Sequence, residues 1–336
     1  MEPTVIYKAS VVGLGGIGAA YPPLGGRQSL EAALNHSDAY ARHPRVQLMA
    51  GCDPDGGRRN AFTRKFGAQA HGELAAMLER EKPDLVSICS PDELHFQHVL
   101  ECLEGGVRMI FLEKPPAGNV AEMETLEKAA KSKGATVLVN YQRRYANAYR
   151  RLKEACQRGT HGAIRHIHVT YSRGLGRNGS HLLDQCFFLM DDPDDYRLVS
   201  VFRHRESNNP SFAWEIKGVP VLVAGIDVDY HCCDIVVTFE AGRMAIVHSG
   251  SAFITERKIE NPLFPGFYIL ESDSAQSGPT EDNSGLFARA IDDLLAACET
   301  GRAPESSLGT AKRERILSGW VTDDRQTNAC HPGDGR

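Results

Sequence analysis

The sequence has 336 residues, of which 42% are hydrophobic and 24% charged, and its formal net charge is −5. These values are ordinary for a globular protein of two domains or of one large one, and the lack of a long basic stretch argues against a nucleic-acid partner. No segment predicts a membrane-spanning helix or a signal peptide, so we expect no membrane partner. Nine cysteines without a CxxC pair favour a reduced, cytoplasmic protein over a disulfide framework.

The first 145 residues alternate apolar strands with amphipathic helices. The predicted strands share a nearly continuous apolar character and lie at 5–15, 46–53, 83–91, 107–115 and 135–145. The predicted helices have apolar residues at helical spacing and lie at 73–80, 95–106 and 121–134. Strands and helices in this alternation are typical of βαβ units, so we expect an α/β fold with a parallel sheet.

After about residue 150, strands follow one another with few helices between them. These segments alternate apolar and polar residues and lie at 164–174, 220–230, 233–250 and 267–272. Within 233–250, the residues EAGR (240–243) predict a hairpin turn. The segment 284–301 predicts an amphipathic helix that ends at a glycine. The pattern indicates an antiparallel sheet in an α+β second domain.

A glycine-rich turn follows the first predicted strand. The segment VVGLGGIGAA places Gly13, Gly15 and Gly18 in GxGxxG spacing, with Gly16 and Ile17 between them. Gly13 allows a tight turn, Gly15 lets backbone amides approach a pyrophosphate, and Gly18 permits close packing of helix on strand. The N–H groups at the start of the next helix then face the phosphates. At the first strand of a βαβ series, this motif predicts a dinucleotide site.

The acidic residue of this site is displaced along the chain. Asp53, which ends the second predicted strand, lies 40 residues beyond Gly13, whereas the expected separation is about 20 residues. We attribute the excess to an insertion at 20–35, where proline and glycine pairs interrupt any helix before it resumes at His36.

Asp53 bears on the choice of cofactor. A carboxylate in this position is expected to accept hydrogen bonds from the adenosine ribose hydroxyls, which favours NAD over NADP. NADP stays open, because Arg58 and Arg59 follow closely enough to meet a 2′-phosphate. The alternative interpretation is a turn aspartate before Pro54, which is a common pairing.

In five ordered motifs the chain resembles the glucose-fructose oxidoreductase, inositol dehydrogenase and rhizopine catabolism (Gfo/Idh/MocA) family of dehydrogenases. The motifs are GLGGIG (13–18), SICSPDELH (87–95), EKP (113–115), YQRRY (141–145) and NGSHLLD (178–184). The resemblance covers most of residues 9–310 in order. It implies a sugar, cyclitol or nucleotide-sugar substrate, oxidised or reduced at a hydroxyl or carbonyl carbon.

The resemblance also implies the domain plan. Residues 1–145 are expected to form a Rossmann domain with a doubly wound parallel sheet. Residues 146–325 are expected to form an α+β domain whose largely antiparallel open sheet binds substrate and joins subunits into a homodimer or homotetramer. Residues 326–336 are expected to be a frayed tail.

Specific residues carry the family's roles by position. The cofactor is expected to lie against Gly13, Gly15, Gly16, Ile17, Gly18, Asp53, Ser90, Pro91, His95, Glu113, Lys114 and Gln142. The substrate is expected to lie against Lys114, Arg143, Arg177, Asn178, His181 and Asp184. Lys114 and His181 are the expected catalytic pair, in which histidine transfers the proton and lysine touches the substrate hydroxyl.

One position departs from the family. Many members have an aspartate four residues before the histidine, where this chain has Arg177. The substitution leaves open whether a carboxylate assists His181. It also suggests a substrate with an anionic group, which Arg177 and Arg173 could meet.

The roles of Lys114 and His181 have plainer alternatives. Lys114 could be an exposed turn residue, but it follows a parallel strand at the sheet edge where α/β proteins bind ligands. His181 could be a packed helix residue, but an imidazole that titrates near neutrality suits proton transfer during oxidation of an alcohol. Asp184, one helical turn later, could bind a substrate hydroxyl or orient His181.

No metal site is predicted. His161, His166 and His168 lie close in sequence, but no cysteine or carboxylate at ligand spacing completes a set.

The glycine turn, Asp53 and the family motifs together predict an NAD(P)-dependent oxidoreductase. One alternative is a dinucleotide-binding sensor without turnover, which Arg177 favours. Another is an enzyme that recycles a tightly bound NAD(P), such as a sugar–sugar oxidoreductase, epimerase or dehydratase.

Overall fold

The computed structural model describes residues 5–22, 33–202, 207–280 and 285–323. The chain divides into two compact units. The first unit comprises residues 1–145 and 284–312, and the second unit comprises residues 146–283 and 313–336.

A parallel six-stranded sheet forms the centre of the first unit. Its strands are β1 Tyr7–Val12, β2 Val46–Cys52, β3 Gln69–His71, β4 Leu85–Ile88, β5 Met109–Leu112 and β6 Thr136–Val139. They lie in the order β3-β2-β1-β4-β5-β6, and every pair is parallel. The order reverses between β1 and β4, which is the arrangement of a doubly wound Rossmann sheet. The predicted parallel sheet is confirmed.

Helices follow the strands of the first unit. They are α1 His36–Arg42, α2 Gly56–Phe66, α3 Leu74–Glu81, α4 His95–Glu104 and α5 Val120–Lys133. Their ends follow from local chemistry: Asn119 caps α5 by accepting from the Glu122 N–H, and Gly134 ends the helix in the left-handed conformation. The helix after the insertion begins at His36, as predicted.

One sequence expectation needs correction in the first unit, and two further elements were not predicted. The predicted strand 135–145 ends at Val139, and residues 142–145 form a short 3₁₀ helix. Helix α2 and strand β3 were not predicted. The helix has no apolar stripe, since Phe62 is its only buried residue in the structure, and the strand has only three residues.

The second unit contains a nine-stranded sheet within the described residues. Its strands are β7 Ile164–Tyr171, β8 Tyr196–Phe202, β9 Ser211–Ile216, β10 Val219–Gly225, β11 Cys233–Phe239, β12 Gly242–Val247, β13 Ala252–Glu260, β14 Tyr268–Ser272 and β15 Gly278–Pro279. The order is β14-β13-β12-β11-β7-β10-β9-β8, with β15 beside β13. Only β7 and β10 pair in parallel among these strands, so the predicted largely antiparallel sheet is confirmed.

Two helices cover one face of this sheet. They are α6 Asn147–Arg158 and α7 Ser180–Leu189. The strand β11 shows why one face is covered, because its buried residues alternate with partly exposed ones. The predicted hairpin at 240–243 is confirmed: Phe239 pairs with Gly242 across a two-residue loop.

The last two described helices are α8 Leu286–Thr300 and α9 Leu308–Thr322. Helix α8 agrees with the predicted amphipathic helix and ends at Gly301 in the left-handed conformation. Sequence analysis assigned it to the second domain, but it lies in the first unit. The physical reason is its apolar stripe, since Phe287 and Leu294 join a core cluster with Phe111 of β5 and Leu138 of β6.

Within the described residues, no helix is both long and apolar enough to cross a membrane. The described cysteines are free thiols, which are mostly buried. The predicted tail at 326–336 lies outside the described residues.

Replacing Phe287 by alanine should destabilise the first unit. The side chain is 5% exposed and its ring centroid lies 6.1 Å from that of Phe111. Removing it leaves a cavity, so we expect the free energy of unfolding to fall by about 3–5 kcal/mol. Chemical denaturation followed by circular dichroism measures this change. Phe264→Ala is the control, because that phenylalanine is 60% exposed; an equal loss in both variants would contradict the packing role.

Candidate functional site

The carboxyl ends of the parallel strands bring several predicted site residues to one edge of the first unit. Backbone hydrogen bonds join the residues that leave neighbouring strands. The Gly13 N–H donates to Cys52 O over 2.8 Å, and the Cys89 N–H donates to Val12 O over 2.7 Å. The glycine turn therefore lies between the segment that leaves β2 and the segment that leaves β4.

The same edge continues towards β6. The Glu113 N–H donates to Ile88 O over 3.0 Å, and the Asn140 N–H donates to Leu112 O over 2.8 Å. Glu113 and Lys114 thus lie between the segment after β4 and the segment after β6. This edge is where open α/β sheets bind ligands.

Two glycines of the turn are required by the protein's own packing. Gly13 has φ +88°, and a Cβ there would lie 2.4 Å from Cys89 O. A Cβ on Gly18 would lie 1.9 Å from Gly13 O. Larger residues would therefore push apart the glycine turn and the segment after β4.

Gly15 differs, because no close contact among the described residues requires a glycine there. Within that part of the chain, a Cβ on Gly15 would meet only Arg58 Nη1, at 3.9 Å. A glycine beside open space fits a position where the backbone must approach a ligand closely. A π-helical turn, Gly16–Ala20, begins directly after Gly15. The first N–H groups of this turn have no acceptor within the helix, as at every helix start. Gly16 and Ile17 therefore present N–H groups that suit phosphate oxygens.

The Asp53 carboxylate is hydrogen-bonded to the backbone of the glycine turn. Its carboxylate is 3% exposed and accepts from the Leu14 N–H over 2.9 Å and from the Asp55 N–H over 2.9 Å. The Arg58 guanidinium lies 3.4 Å from Asp53 Oδ2 and is 57% exposed. The structure therefore places Asp53 beside the turn, as predicted, and also places Arg58 over it.

The segment after β4 carries Ser90, Pro91 and His95. The buried ring of His95 links two turns: Nδ1 lies 2.7 Å from Pro115 O and Nε2 lies 2.9 Å from Ser90 O. Ser90 Oγ lies 2.9 Å from His98 Nδ1. Because carbonyl oxygens only accept, a ring nitrogen that carries a proton is the donor in its contact, and the ring lies between the Ser90 segment and the turn after Lys114.

The turn after β5 contains a cis peptide bond between Lys114 and Pro115. Glu113, just before it, has a side chain that is 14% exposed. Its Oε1 accepts from Asn140 Nδ2 over 2.7 Å and lies 3.0 Å from His36 Nε2. Burial alone would raise the pKa of Glu113. The hydrogen bonds from His36 and Asn140, together with the electrostatic effect of His36 and His95, lower it by more, so the net pKa lies below the usual value. The carboxylate is therefore ionised.

His36 and Asn140 were not predicted as site residues. Asn140 had a usable signal, because it directly follows a parallel strand at the ligand-binding edge. His36 had no such signal, since it lies beyond the insertion and the fold alone brings it to Glu113.

The two ends of the insertion lie close together. Asn35 Nδ2 donates to Tyr21 O over 2.6 Å, and the Ser37 hydroxyl donates to Gly18 O over 2.7 Å.

Gln142 and Arg143 lie on the 3₁₀ helix after β6, not on a strand. Both are partly buried. Their neighbour Arg144 is fully buried and donates from Nη1 to Glu305 O over 2.9 Å. Arg144 therefore has a structural role in the first unit, whereas the placement of Gln142 and Arg143 is compatible with their predicted roles.

The predicted substrate residues of the second unit lie along one helical segment. A π-helical turn, Leu175–Gly179, runs directly into α7. Arg177 is exposed on the turn, and Asp184 is fully buried in the helix. His181 lies one turn before Asp184, as the sequence predicted.

Asn178 and Gln185 add polar atoms to this segment. Among the described residues, no group accepts from the buried Nδ2 of Asn178 or donates to the buried Oε1 of Gln185. Gln185 Nε2 lies 3.3 Å from Asp184 Oδ2. Gln185 was not predicted, because it lies just outside the motif NGSHLLD (178–184).

Lys114 belongs to the first unit and His181 to the second, so their pairing stays a prediction.

The described residues contain no group of three or more potential metal ligands. His166 and His168 lie side by side with ring centroids 6.3 Å apart, and His168 Nε2 lies 3.2 Å from Thr170 Oγ1.

Comparisons with known proteins agree with the first unit's geometry. Residues 7–141 match the GFO_IDH_MocA model, an oxidoreductase family with an NAD-binding Rossmann fold. The D-glucoside 3-dehydrogenase of Escherichia coli (strain K12) is 32% identical over 145 residues, 43% of this chain and 40% of that protein. The scyllo-inositol 2-dehydrogenase (NADP(+)) IolW of Bacillus subtilis (strain 168) is 28% identical over 144 residues, 38% of this chain and 40% of that protein.

The match spans 40% of the length of each of these two curated relatives. A solved structure extends the likeness in fold. KijD10, a 3-ketoreductase from Actinomadura kijaniata in complex with NADP, has a TM-score of 0.71 and 19% identity over 94% of this chain and 96% of that chain. The prediction of an NAD(P)-binding Rossmann domain is confirmed, and the individual contacts to the cofactor stay predictions.

Replacing Gly15 by alanine should weaken cofactor binding without unfolding the protein. The new methyl group meets no atom of the described residues closer than 3.9 Å, but it occupies the space through which the backbone reaches the pyrophosphate. We expect the affinity for NADH or NADPH to fall by about tenfold or more, as measured by titration of nicotinamide fluorescence.

Gly319→Ala is the matched control, because a Cβ there also meets nothing within 4 Å and lies on α9. It should bind cofactor like the wild type. Unchanged affinity in Gly15→Ala would show that the space beside Gly15 is not used by the cofactor.

Proposed function

We propose that the chain, whose residues 7–141 match the Gfo/Idh/MocA model of NAD-binding oxidoreductases, transfers a hydride between the nicotinamide and a sugar-like substrate. The reacting carbon carries a hydroxyl or carbonyl group on a sugar, cyclitol or nucleotide-linked sugar. The observation that carries this proposal is the Glu113–Lys114 turn at the carboxyl edge of the sheet, one strand away from the segment that packs on the glycine turn. The glucoside and inositol dehydrogenases among the relatives support the substrate class.

Lys114 and His181 divide the proton chemistry in this proposal. The bound NAD(P) accepts or supplies the hydride. His181 takes the hydroxyl proton during oxidation and returns it during reduction, because an imidazole changes charge near neutral pH. Lys114 donates a hydrogen bond to the same oxygen and stabilises the negative charge that develops there.

The second unit supplies the groups that hold the substrate in this proposal. The Asn178 amide and the Gln185 carbonyl oxygen are buried and lack a described partner, so a substrate hydroxyl is a suitable one. Asp184, also buried, accepts from a further hydroxyl or orients His181. Arg177 is exposed and meets an anionic group, such as a phosphate or carboxylate, at the rim of the site.

Asp53 favours NAD in this proposal. Its ionisable carboxylate is held beside the glycine turn by backbone amides, and a carboxylate there accepts from ribose hydroxyls but repels a 2′-phosphate. Arg58 lies against the same carboxylate, and it becomes available to a phosphate when the carboxylate is removed.

Lys114→Ala and His181→Ala should each abolish most turnover. We expect the kcat of each variant to fall by about two orders of magnitude or more, because each removes a group that acts in the transition state. The affinity for NADH should change little. Steady-state assays with a panel of sugars, cyclitols and nucleotide-sugars measure kcat, and fluorescence titration measures binding.

Near-normal turnover in both variants would overturn the assignment of this pair. A wild-type protein that binds NADH but oxidises no member of the panel would overturn the proposed function in favour of a sensor. NAD(P) that stays bound through purification and is not exchanged would instead indicate an enzyme that recycles its cofactor.

Asp53→Ser should shift the preference towards NADP. The serine keeps a short polar side chain beside the Leu14 amide, while the loss of negative charge removes repulsion of the 2′-phosphate and releases Arg58. We expect the ratio of NADPH to NADH affinity to rise by about tenfold. Titration with both cofactors measures the ratio. An unchanged ratio would show that Asp53 supports the turn without reading the ribose.

A further inference from the structure

A chain of hydrogen bonds leads through the core of the first unit to Glu113, the residue before Lys114. Tyr40 OH lies 2.5 Å from Ser87 Oγ, and Ser87 Oγ lies 2.7 Å from His36 Nδ1. His36 Nε2 lies 3.0 Å from Glu113 Oε1. Tyr40, Ser87 and His36 are each 0% exposed, and they lie on α1 and β4.

The chemistry of the members gives the chain a direction. Glu113 is ionised and can only accept, so His36 Nε2 carries the proton. The Ser87 hydroxyl has one proton, which it donates to His36 Nδ1. Ser87 is left to accept from Tyr40, whose hydroxyl keeps its proton because burial raises its pKa far above the usual value. Each hydroxyl and ring thus donates towards Glu113.

Aromatic packing holds the His36 ring in this orientation. The ring centroid lies 4.4 Å from that of Phe111 and 4.9 Å from that of Phe287, in edge-to-face geometry. Rotation of the imidazole would break both aromatic contacts and the bonds to Ser87 and Glu113. The donor that faces Glu113 is therefore fixed by the core and not by solvent.

Groups from several elements face Glu113. His36 reaches it from α1, and Asn140 reaches it from the end of β6. The Cys89 thiol lies near it after β4, and burial together with the negative charge of Glu113 raises the pKa of this thiol. His95, on α4, also lowers the pKa of Glu113 electrostatically. Lys114 follows it directly in the chain.

We propose that the chain Tyr40–Ser87–His36 fixes the Glu113 carboxylate in position and thereby holds the Lys114 turn, which makes His36 a positioning residue for the reaction. This inference rests on the proposed function of Lys114. The link to Lys114 is short: the carboxylate is anchored to α1 and β6, and the lysine is the next residue. A loose Glu113 would let the Lys114 backbone shift, and a shift of about 1 Å can cost about a hundredfold in rate.

His36→Leu tests the proposal kinetically. It removes the donor to Glu113 but keeps an apolar side chain between Phe111 and Phe287. We expect kcat to fall by about ten- to a hundredfold, while the KM for the cofactor changes by less than about threefold. The pKa of Glu113 should rise once this hydrogen bond is gone. Since activity needs the ionised form, the acid loss of kcat should begin at higher pH than in the wild type.

Two further variants separate positioning from general stability. His36→Gln keeps an N–H donor near the Nε2 position and should restore most of kcat and the wild-type acid limb. His43→Leu is the matched control, because His43 is also a buried histidine at the end of α1 and pairs with Asp292 over 3.1 Å, away from the Lys114 turn. Equal losses of kcat in His36→Leu and His43→Leu would overturn the proposal.

A spectroscopic test does not depend on activity. Two-dimensional NMR of the wild-type imidazole nitrogens should show a proton on His36 Nε2 and none on Nδ1, assigned by the signal lost in His36→Gln. The Nδ1–H tautomer or a doubly protonated ring would overturn the one-way chain. If the tautomer is as expected but no sugar is turned over, the hydrogen-bond chain stands and the proposed reaction fails. If turnover is present and His36→Leu matches the wild type, the reaction stands and the positioning role fails.

Discussion

The parallel register of the first sheet is the constraint on which the candidate site depends. Parallel strands end at one edge, so residues that are far apart in sequence leave the sheet side by side. Gly13 follows β1, Asp53 follows β2 and Glu113 follows β5, and backbone hydrogen bonds carry the register past the strand ends. The glycine requirement at Gly13 and Gly18 has the same origin, because the segments that leave β1 and β4 touch there.

This constraint also explains which parts of the fold could be predicted from sequence. Continuous apolar strands and amphipathic helices such as α8 carry their own signal, because burial on one or both faces selects their residues. Helix α2 buries only Phe62 and so has no stripe to detect. The extent of β6 was overestimated because Tyr141 and Tyr145 are apolar enough to extend a strand, yet they are buried in a turn and a 3₁₀ helix.

The candidate site was predictable to the extent that its chemistry is local. Gly15, Asp53 and Lys114 each lie at most three residues beyond the end of a strand, and position relative to a strand can be read from the sequence. His36 could not be found in this way, since its partners Ser87 and Glu113 lie 51 and 77 residues away. The packing of helix α8 in the first unit could not be predicted either, because an apolar stripe shows that a helix is buried on one face but not in which core.

Glu113 shows why such a distant partner is needed. Burying a carboxylate costs several kcal/mol, and a single hydrogen bond to a charged group returns only about 1.5–3 kcal/mol. Two donors, His36 of α1 and Asn140 after β6, meet the same oxygen, and their combined effect keeps the pKa of Glu113 low in spite of burial. A neutral acid there would itself need an acceptor and would break the direction of the hydrogen-bond chain. The ionised state of Glu113 and the position of the proton on His36 therefore depend on each other. Both are determined within the core, next to Lys114, the residue proposed to contact the substrate.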